Sequence, residues 1–331
     1  MRVLVTGASG LLGREVARLL VRQGHAVTTF QRRAAGVDGA ADFSGSVTDG
    51  DAVRRAVAGF EGVIHLAAKV SFTGRAADFH EVNVEGTRRL IEAAREAGVR
   101  DLVFVSSPSV ANSGAAIAGL GAEPADPARA HGDYSRTKAA AELLALAADS
   151  REFRVAAVRP HIVWGPGDTQ LVERVLERAA RGRLPLLDAG AALIDTTYVD
   201  NAASAIVAAL HRMEQVHGRA LVVSNGEPRP VGELLAGICA AGGVPAPSWR
   251  VPGRIARAAG SVVEKIWLRS GREDEPPMTR FLAEQLSTAH WFDQRETRAL
   301  LDWTPAVSLD EGLAKLAAHY GAPTTARTVR P

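Results

Sequence analysis

Residues 1–13 read MRVLVTGASGLLG, and their order decides the fold. Residues 3–6, three aliphatics and Thr6, read as a short buried strand, and they pass directly into Gly7, Gly10 and Gly13 at the opening of a helix expected over 11–21. Gly7 permits a sharp turn off the strand. Gly10 removes a side chain where a bound anion would touch backbone, and Gly13 lets the helix lie close to the sheet. The unpaired N–H groups and positive dipole end of such a helix favour a pyrophosphate. A glycine-rich turn before an ordinary helix has the same letters, but a strand starting at residue 2 and an amphipathic helix behind favour the cradle. The spacing, G-x-x-G-x-x-G, is one residue longer in its first gap than the common dinucleotide fingerprint.

The segments that follow repeat the rhythm. Strands are expected over 25–30, 62–66, 101–105 and 153–158, with helices over 51–58, 76–97 and onward from Tyr134 to residue 148. Residues 111–130, mostly Gly, Ala and Pro, read as a loop with little structure of its own. This alternation predicts an α/β fold, a Rossmann-type doubly wound parallel sheet whose ligands sit at the carboxyl ends of the strands. Residues 1–165 are expected to form the nucleotide-binding domain and 166–331 a smaller, mostly helical substrate lobe. Within 192–224, strands over 194–199 and 220–224 are expected to rejoin the large sheet, and Asp200 and Asn201 to cap a helix over 202–210.

Composition limits the partners. The 331 residues are 47% hydrophobic and 23% charged, with a formal net charge of +2, so no polyelectrolyte such as a nucleic acid is implied. Cys239 is alone, which excludes an intramolecular disulfide and fits a reducing compartment. Its helical apolar neighbours Leu234, Leu235 and Ile238 suggest a buried small hydrophobe. No stretch is long and apolar enough for a membrane span or a secretion signal, so a cytoplasmic location is expected. The dispersed histidines and single cysteine offer no metal set.

Chemistry gathers at three places in the right order, the glycine triplet being the first. Ser106 and Ser107 end the strand over 101–105, and Tyr134 and Lys138 stand one helical turn apart on the next helix. A phenol titrates near 10, and bringing it to about 7 takes roughly 4 kcal/mol. An ammonium about 4 Å away supplies about that much at an effective dielectric near 20. Tyr134 is thus expected to protonate a carbonyl oxygen that Ser107 also holds, while a hydride arrives from a nicotinamide. A surface i,i+4 pair is the plainer reading of Tyr134 and Lys138 taken alone. His65 reads better as a core histidine than as a catalytic one. At the end of the second strand, Gln31-Arg32-Arg33 carries no acid and two guanidinium groups, which favours the 2′-phosphate of NADPH over NADH, a basic turn facing water being the lesser alternative.

Gly7-Ala8-Ser9-Gly10-Leu11-Leu12-Gly13, Ser106-Ser107, Tyr134-Ser135-Arg136-Thr137-Lys138 and Arg159-Pro160-x-x-x-x-Gly165-Pro166 resemble the extended short-chain dehydrogenase/reductase family over nearly the whole chain. The resemblance implies Ser107, Tyr134 and Lys138 as the catalytic set, with Lys138 also holding the nicotinamide ribose. It implies coenzyme contacts from Gly7, Ser9, Gly10, Leu11, Leu12 and Gly13, and from Gln31, Arg32, Arg33, Ser46 and Val47. Further coenzyme contacts are implied at Leu66, Ala67, Ala68, Lys69, Asn83, Val105, Ser106, Tyr134 and Lys138, and at Pro160, His161, Ile162 and Val163. Substrate contacts are implied at Ser107, Pro108, Ser109, His161 and Trp164. Asn83, in Asn83-Val84-Glu85-Gly86-Thr87, matches a family position near the site and equally suits a structural role. Ser46 departs from the aspartate that many members carry beside the adenine.

Phe104-Val105-Ser106-Ser107-Pro108-Ser109-Val110 and the run from Arg159 to Asp168 resemble the 3β-hydroxysteroid dehydrogenase branch. Runs at 195–201, 224–228 and 279–286, with His290-Trp291-Phe292, are similar to its reductases of long-chain 2-alkyl-3-oxoalkanoates in bacterial olefin biosynthesis. That resemblance implies NADPH-dependent reduction of a β-keto acid to the β-hydroxy acid, a homodimer, and a complex with other olefin-pathway enzymes. A steroid dehydrogenase, a nucleotide-sugar epimerase or dehydratase, and a cofactor-sensing regulator without turnover are the alternatives. In the lobe, Ile255, Ala258, Ala259, Val262, Val263, Ile266 and Trp267 fall at helical spacing, away from Arg254, Arg257, Glu264 and Lys265. Core packing, a channel for alkyl chains, and a surface for a partner or lipid interface all fit that stripe.

Overall fold

The computed structural model describes residues 1–71, 74–111, 114–270 and 280–321, without the side chains of 264–266, 268–270, 280 and 281. The chain opens with β1 (Arg2–Thr6), α1 (Leu11–Arg22), β2 (Ala26–Gln31), β3 (Ala41–Ser44), α2 (Gly50–Val57) and β4 (Gly62–His65). It continues with α3 (Ala76–Phe79), α4 (Gly86–Glu96), β5 (Asp101–Val105), β6 (Ile117–Leu120), α5 (Gly132–Ala147), β7 (Arg154–Pro160) and β8 (Val163–Trp164). Later come α6 (Val172–Ala180), α7 (Val199–His211) and a strand over Ala220–Val223.

Seven parallel strands form the main sheet in the order Ala220–Val223, β7, β5, β4, β1, β2, β3. Successive strand residues pack on opposite faces. Val3, Val5, Ile64, Val103 and Val158 meet α1 and α7 residues such as Val16, Leu20, Ile206 and Leu210. Leu4, Val63, Leu102, Phe104 and Ala157 meet Val53, Leu90 and Ala141 from α2, α4 and α5. Helices on both faces explain why these strands read as continuous apolar runs rather than as alternating ones. The sheet thus places the carboxyl ends of β1, β4, β5 and β7 along one edge.

Several expectations change. Residues 41–44, not among the expected strands, add an edge strand beside β2, because backbone pairing of 28–31 with 41–44 outweighs the weak local signal. The loop over 111–130 contains β6, which pairs with His290–Phe292 from the far end of the chain. The helix expected over 76–97 is broken by a π-helical segment, His80–Glu85, that carries Asn83. The strand expected over 194–199 does not rejoin the large sheet. It divides into Leu193–Ile194, paired with Arg229–Pro230 and His290, and Thr197–Tyr198, paired with β8. The strand Ala220–Val223 does join, beside β7.

Asp200 and Asn201 do not cap α7, which begins at Val199 with no side-chain cap. Asn201 instead donates to Asn225 Oδ1 and accepts from the N–H groups of Ala306 and Val307. Cys239 is fully buried, as its apolar neighbours suggested. The stripe in helix Gly253–Ser270 is not core: Ile255 is 55% and Val262 56% exposed, Ala258 and Ala259 are also exposed, and Ala256 on the opposite side is buried. The side chains of Glu264, Lys265 and Ile266, and residue 279 of the run 279–286, lie outside the described residues.

Candidate active site

The cradle forms where β1 meets α1. Gly7 has φ 77°, and a Cβ on it would stand 2.7 Å from Ala67 N; a Cβ on Gly13 would stand 2.5 Å from Gly7 O. These two glycines are demanded by the fold itself. A Cβ on Gly10 would meet nothing nearer than Gly7 O at 3.6 Å. Gly10 is the cap of α1, has no side chain over the first turn, and no acid follows it in that turn. The open side at Gly10 and the first-turn N–H groups fit a diphosphate. Ser106 Oγ, buried at the end of β5 without a partner in the structure, also fits a polar ligand in the crevice.

Beside the cradle, a hydrogen-bond chain explains His65. Ala67 N–H donates to Thr6 Oγ1 at 3.0 Å, and Thr6 Oγ1 lies 2.7 Å from His65 Nδ1. Thr87 Oγ1 gives its proton to Asn83 O, so it accepts from His65 Nε2 at 3.0 Å. Burial pushes His65 down to about 3, and the ring stays neutral in the core. Asn83 is buried and ties two functional segments together. Its Oδ1 accepts from Lys69 N–H at 2.7 Å, and its Nδ2 donates to Lys69 O at 3.2 Å and to Thr137 Oγ1 at 3.0 Å. Thr137 lies between Tyr134 and Lys138 on α5, so Asn83 holds the loop after β4 against that helix.

Ser107 and Tyr134 come together, their hydroxyls sharing a hydrogen bond. Ser107 Oγ also lies 3.0 Å from Ser109 Oγ, while Pro108 is buried. Lys138 is buried, donates to Val105 O at 2.7 Å, and sits 3.9 Å from the centroid of the Phe104 ring. Burial pushes Lys138 down to about 7, against the pull of Glu142. Burial of its hydroxyl pushes Tyr134 up to about 12, opposed by the Ser107 bond. The expected lowering of the phenol by Lys138 is therefore not present here. The ammonium is turned onto the Val105 carbonyl, and desolvation dominates both groups.

Behind Lys138 lies an ion pair that sequence reasoning missed. Arg159, at the end of β7, pairs with Glu142 through Nε and Oε2 at 2.9 Å and through Nη2 and Oε1, both side chains being almost wholly buried. Arg159 Nη1 also donates to Glu123 O at 2.6 Å, so one guanidinium links β7, α5 and the loop before it. The signal was available, since Glu142 stands at i+4 from Lys138 on the same helical face.

The strand end at Gln31 differs from its sequence reading. Gln31 is buried, and its Nε2 donates to Thr29 Oγ1 and Asp42 Oδ1, both at 2.9 Å. Asp42 arrives from β3 and accepts further bonds from Thr29 and Ala35 N–H, which hold it below the usual carboxylate range. An acid is thus present beside the end of β2, exposed and held in its charged form by these donors. Arg32 and Arg33 are exposed. Ser46 Oγ bonds Thr48 Oγ1 at 2.8 Å, and Val47 is buried.

On the other side, His161 is buried with its Nδ1 donating to Asp195 O at 2.6 Å, and burial pushes it down to about 4. Trp164, expected among the substrate contacts, is a correction: it is completely buried, its Nε1 donates to Thr196 Oγ1 at 2.8 Å, and its ring meets Tyr198 edge-on. Asp195, also missed, accepts from Ser224 Oγ and from Gly226 and Glu227 N–H, and burial raises it to about 6. A cavity of about 430 Å³ opens among Gly114, Arg257, Ala258, Ser261, Glu284 and Thr288. Glu284 lies 3.4 Å from His131, three residues ahead of Tyr134, so part of the expected apolar stripe, Ala258, borders this space near α5.

Residues 3–224 match the model of the NAD dependent epimerase/dehydratase family. A 2-alkyl-3-oxoalkanoate reductase of Stenotrophomonas maltophilia is 40% identical over 330 residues, spanning 97% of this chain and all of that one. A 3-beta-hydroxysteroid dehydrogenase of Mycolicibacterium neoaurum is 28% identical, over 96% of this chain and 91% of that one. Among solved structures, MoeE5 in complex with UDP-glucose and NAD superposes with a TM-score of 0.75 at 25% identity, over 96% and 98% of the two chains. With its cradle, its tyrosine and lysine on one helix and these relatives, the chain belongs to the NAD dependent epimerase/dehydratase family, of the extended short-chain dehydrogenase/reductase type, and is an NAD(P)-dependent oxidoreductase.

Proposed function

We propose that this protein reduces a long-chain 2-alkyl-3-oxoalkanoate to the 2-alkyl-3-hydroxyalkanoate with NADPH, as a step of olefin hydrocarbon synthesis. The observation that carries the reading is the shared hydrogen bond of Ser107 and Tyr134 at the carboxyl edge of the sheet, with Lys138 buried one turn behind. Two hydroxyls that reach each other also reach one carbonyl oxygen. Tyr134, neutral at physiological pH, holds the proton that this oxygen needs, and Ser107 orients the carbonyl by donating a second hydrogen bond. Lys138 would hold the ribose hydroxyls of the bound coenzyme, and drawn off the Val105 carbonyl in this way its charge would ease loss of the phenolic proton. The coenzyme, when bound, supplies the hydride, with its diphosphate on Gly10 and the first turn of α1. Exposed Arg32 and Arg33, beside an uncharged Gln31, support NADPH over NADH.

The relatives support a keto acid as substrate, and residues 166–331, with the cavity beside Arg257, are the part of the chain that receives it. The deciding assay follows NADPH consumption with a synthetic long-chain 2-alkyl-3-oxo acid beside a 3-ketosteroid. Turnover of the keto acid is expected. Faster turnover of the steroid, or a preference for NADH, would reject the reading. Tyr134→Phe should keep NADPH affinity and lower turnover at least about a hundredfold, in keeping with general acid catalysis; unchanged turnover removes Tyr134 as the acid.

A further inference from the structure

Among the described residues, four that are not glycine hold a positive φ: Ile162 at 43°, Asp188 at 44°, Ala189 at 60° and Asp302 at 47°. Ile162 alone of these is branched at Cβ, and a branched side chain crowds the backbone in this region more than any other kind. The surrounding bonds impose the conformation. His161 N–H donates to Val223 O at 2.9 Å, Thr197 Oγ1 to His161 O at 2.7 Å, and Thr197 N–H to Ile162 O at 3.2 Å. Together they turn the chain off β7 and into β8, whatever residue stands at 162.

Glycine or asparagine would make the same turn with less strain. Strained residues persist at functional sites because the side chain is needed there. Ile162 follows the carboxyl end of β7, on the edge that also carries Gly7 and Ser107. It is half-buried and packs on the same apolar cluster as Leu11, Leu12 and Val163.

We propose that Ile162 is a specificity-determining residue: at the rim of the crevice it presents a branched apolar group to the alkyl portion of the substrate. The strained turn thereby favours hydrocarbon-bearing keto acids over short or polar ones. This inference rests on the reductase reading above and reassigns a residue that the family resemblance gives to the coenzyme.

The test compares Ile162→Asn, which tolerates the left-handed turn, with Ile162→Val, which keeps the branch. For each protein, kcat/KM is measured for a long-chain 2-alkyl-3-oxo acid and for 2-methyl-3-oxobutanoate, together with KM for NADPH and the Tm. Ile162→Asn is expected to lower the long-to-short ratio of kcat/KM at least about tenfold. Its Tm should match or exceed that of the wild type, and its KM for NADPH should stay within about twofold. Ile162→Val should keep the ratio within about threefold. An unchanged ratio in Ile162→Asn overturns the proposal, and so does a tenfold rise in KM for NADPH, which marks a coenzyme contact. A wild-type enzyme that reduces neither acid overturns the reductase reading itself, a result seen before any variant is compared.

Discussion

Replacing Glu142 by Gln tests how the buried charges behind the site work together. In the wild type, Glu142 and Arg159 are paired with side chains 1% and 2% exposed. Glu142→Gln keeps the shape and removes the negative charge, leaving the buried guanidinium with one amide oxygen and Glu123 O as acceptors and an NH2 group facing it. Breaking a buried pair in this way costs about 3–5 kcal/mol. For a chain of this size that lowers the Tm by roughly 4–7 °C. The same change reaches Lys138, for which Glu142 raises the pKa. Two charges about 6 Å apart at an effective dielectric near 20 interact by at most about 3 kcal/mol, and sharing of the carboxylate with Arg159 reduces this. Activity that needs protonated Lys138 is lost as pH rises through its pKa of about 7, so the variant loses it at lower pH. The assays are thermal denaturation and the pH profile of kcat/KM. The double change of Glu142→Leu with Arg159→Met removes both charges, and should recover most of the Tm while leaving the pH limb displaced. A Tm within 2 °C of wild type in Glu142→Gln, or a high-pH limb in its original place, would show that Glu142 acts on neither the buried guanidinium nor Lys138.

Two further outcomes follow from the same geometry. Gly7→Ala and Gly13→Ala place a Cβ at 2.7 Å and 2.5 Å from backbone atoms and should yield little folded protein; Gly10→Ala, with 3.6 Å of room, should keep its Tm and lose NADPH affinity at least about tenfold, read by fluorescence titration. Equal effects at all three positions would remove the distinction between glycines of the fold and the glycine of the ligand. His65, His161 and His290 are pushed down by burial to about 3, 4 and 4. Between about pH 4 and 6.5 the unfolded chain binds protons there that the folded chain does not, so stability falls as pH drops through that window. The urea midpoint should be lower at pH 5 than at pH 7.5, and equal midpoints would contradict the buried neutral rings.

Much of the site is local in sequence. Tyr134 and Lys138 share a helical face by their spacing alone, and the glycine triplet names its own turn. Ser107 is found because it ends a strand. Other members of the site are joined only by long-range packing. Asp42 reaches the end of β2 through an edge strand with weak propensity, and Asn83 binds Lys69 and Thr137, which lie far from it in sequence. Trp164 looked available beside the nicotinamide strand, yet it is sealed under Tyr198.

What the residues determined unaided is the repeating order of strand, turn and helix, because apolar periodicity and glycine placement act over a few residues. Tertiary structure alone decided the protonation of the site and the small sheets of the lobe. Burial raises Tyr134 and lowers Lys138 by removing water from both, and desolvation depends on every segment that covers a group. The pairing of β6 with His290–Phe292 likewise joins residues over 170 positions apart, where no local pattern can signal a partner.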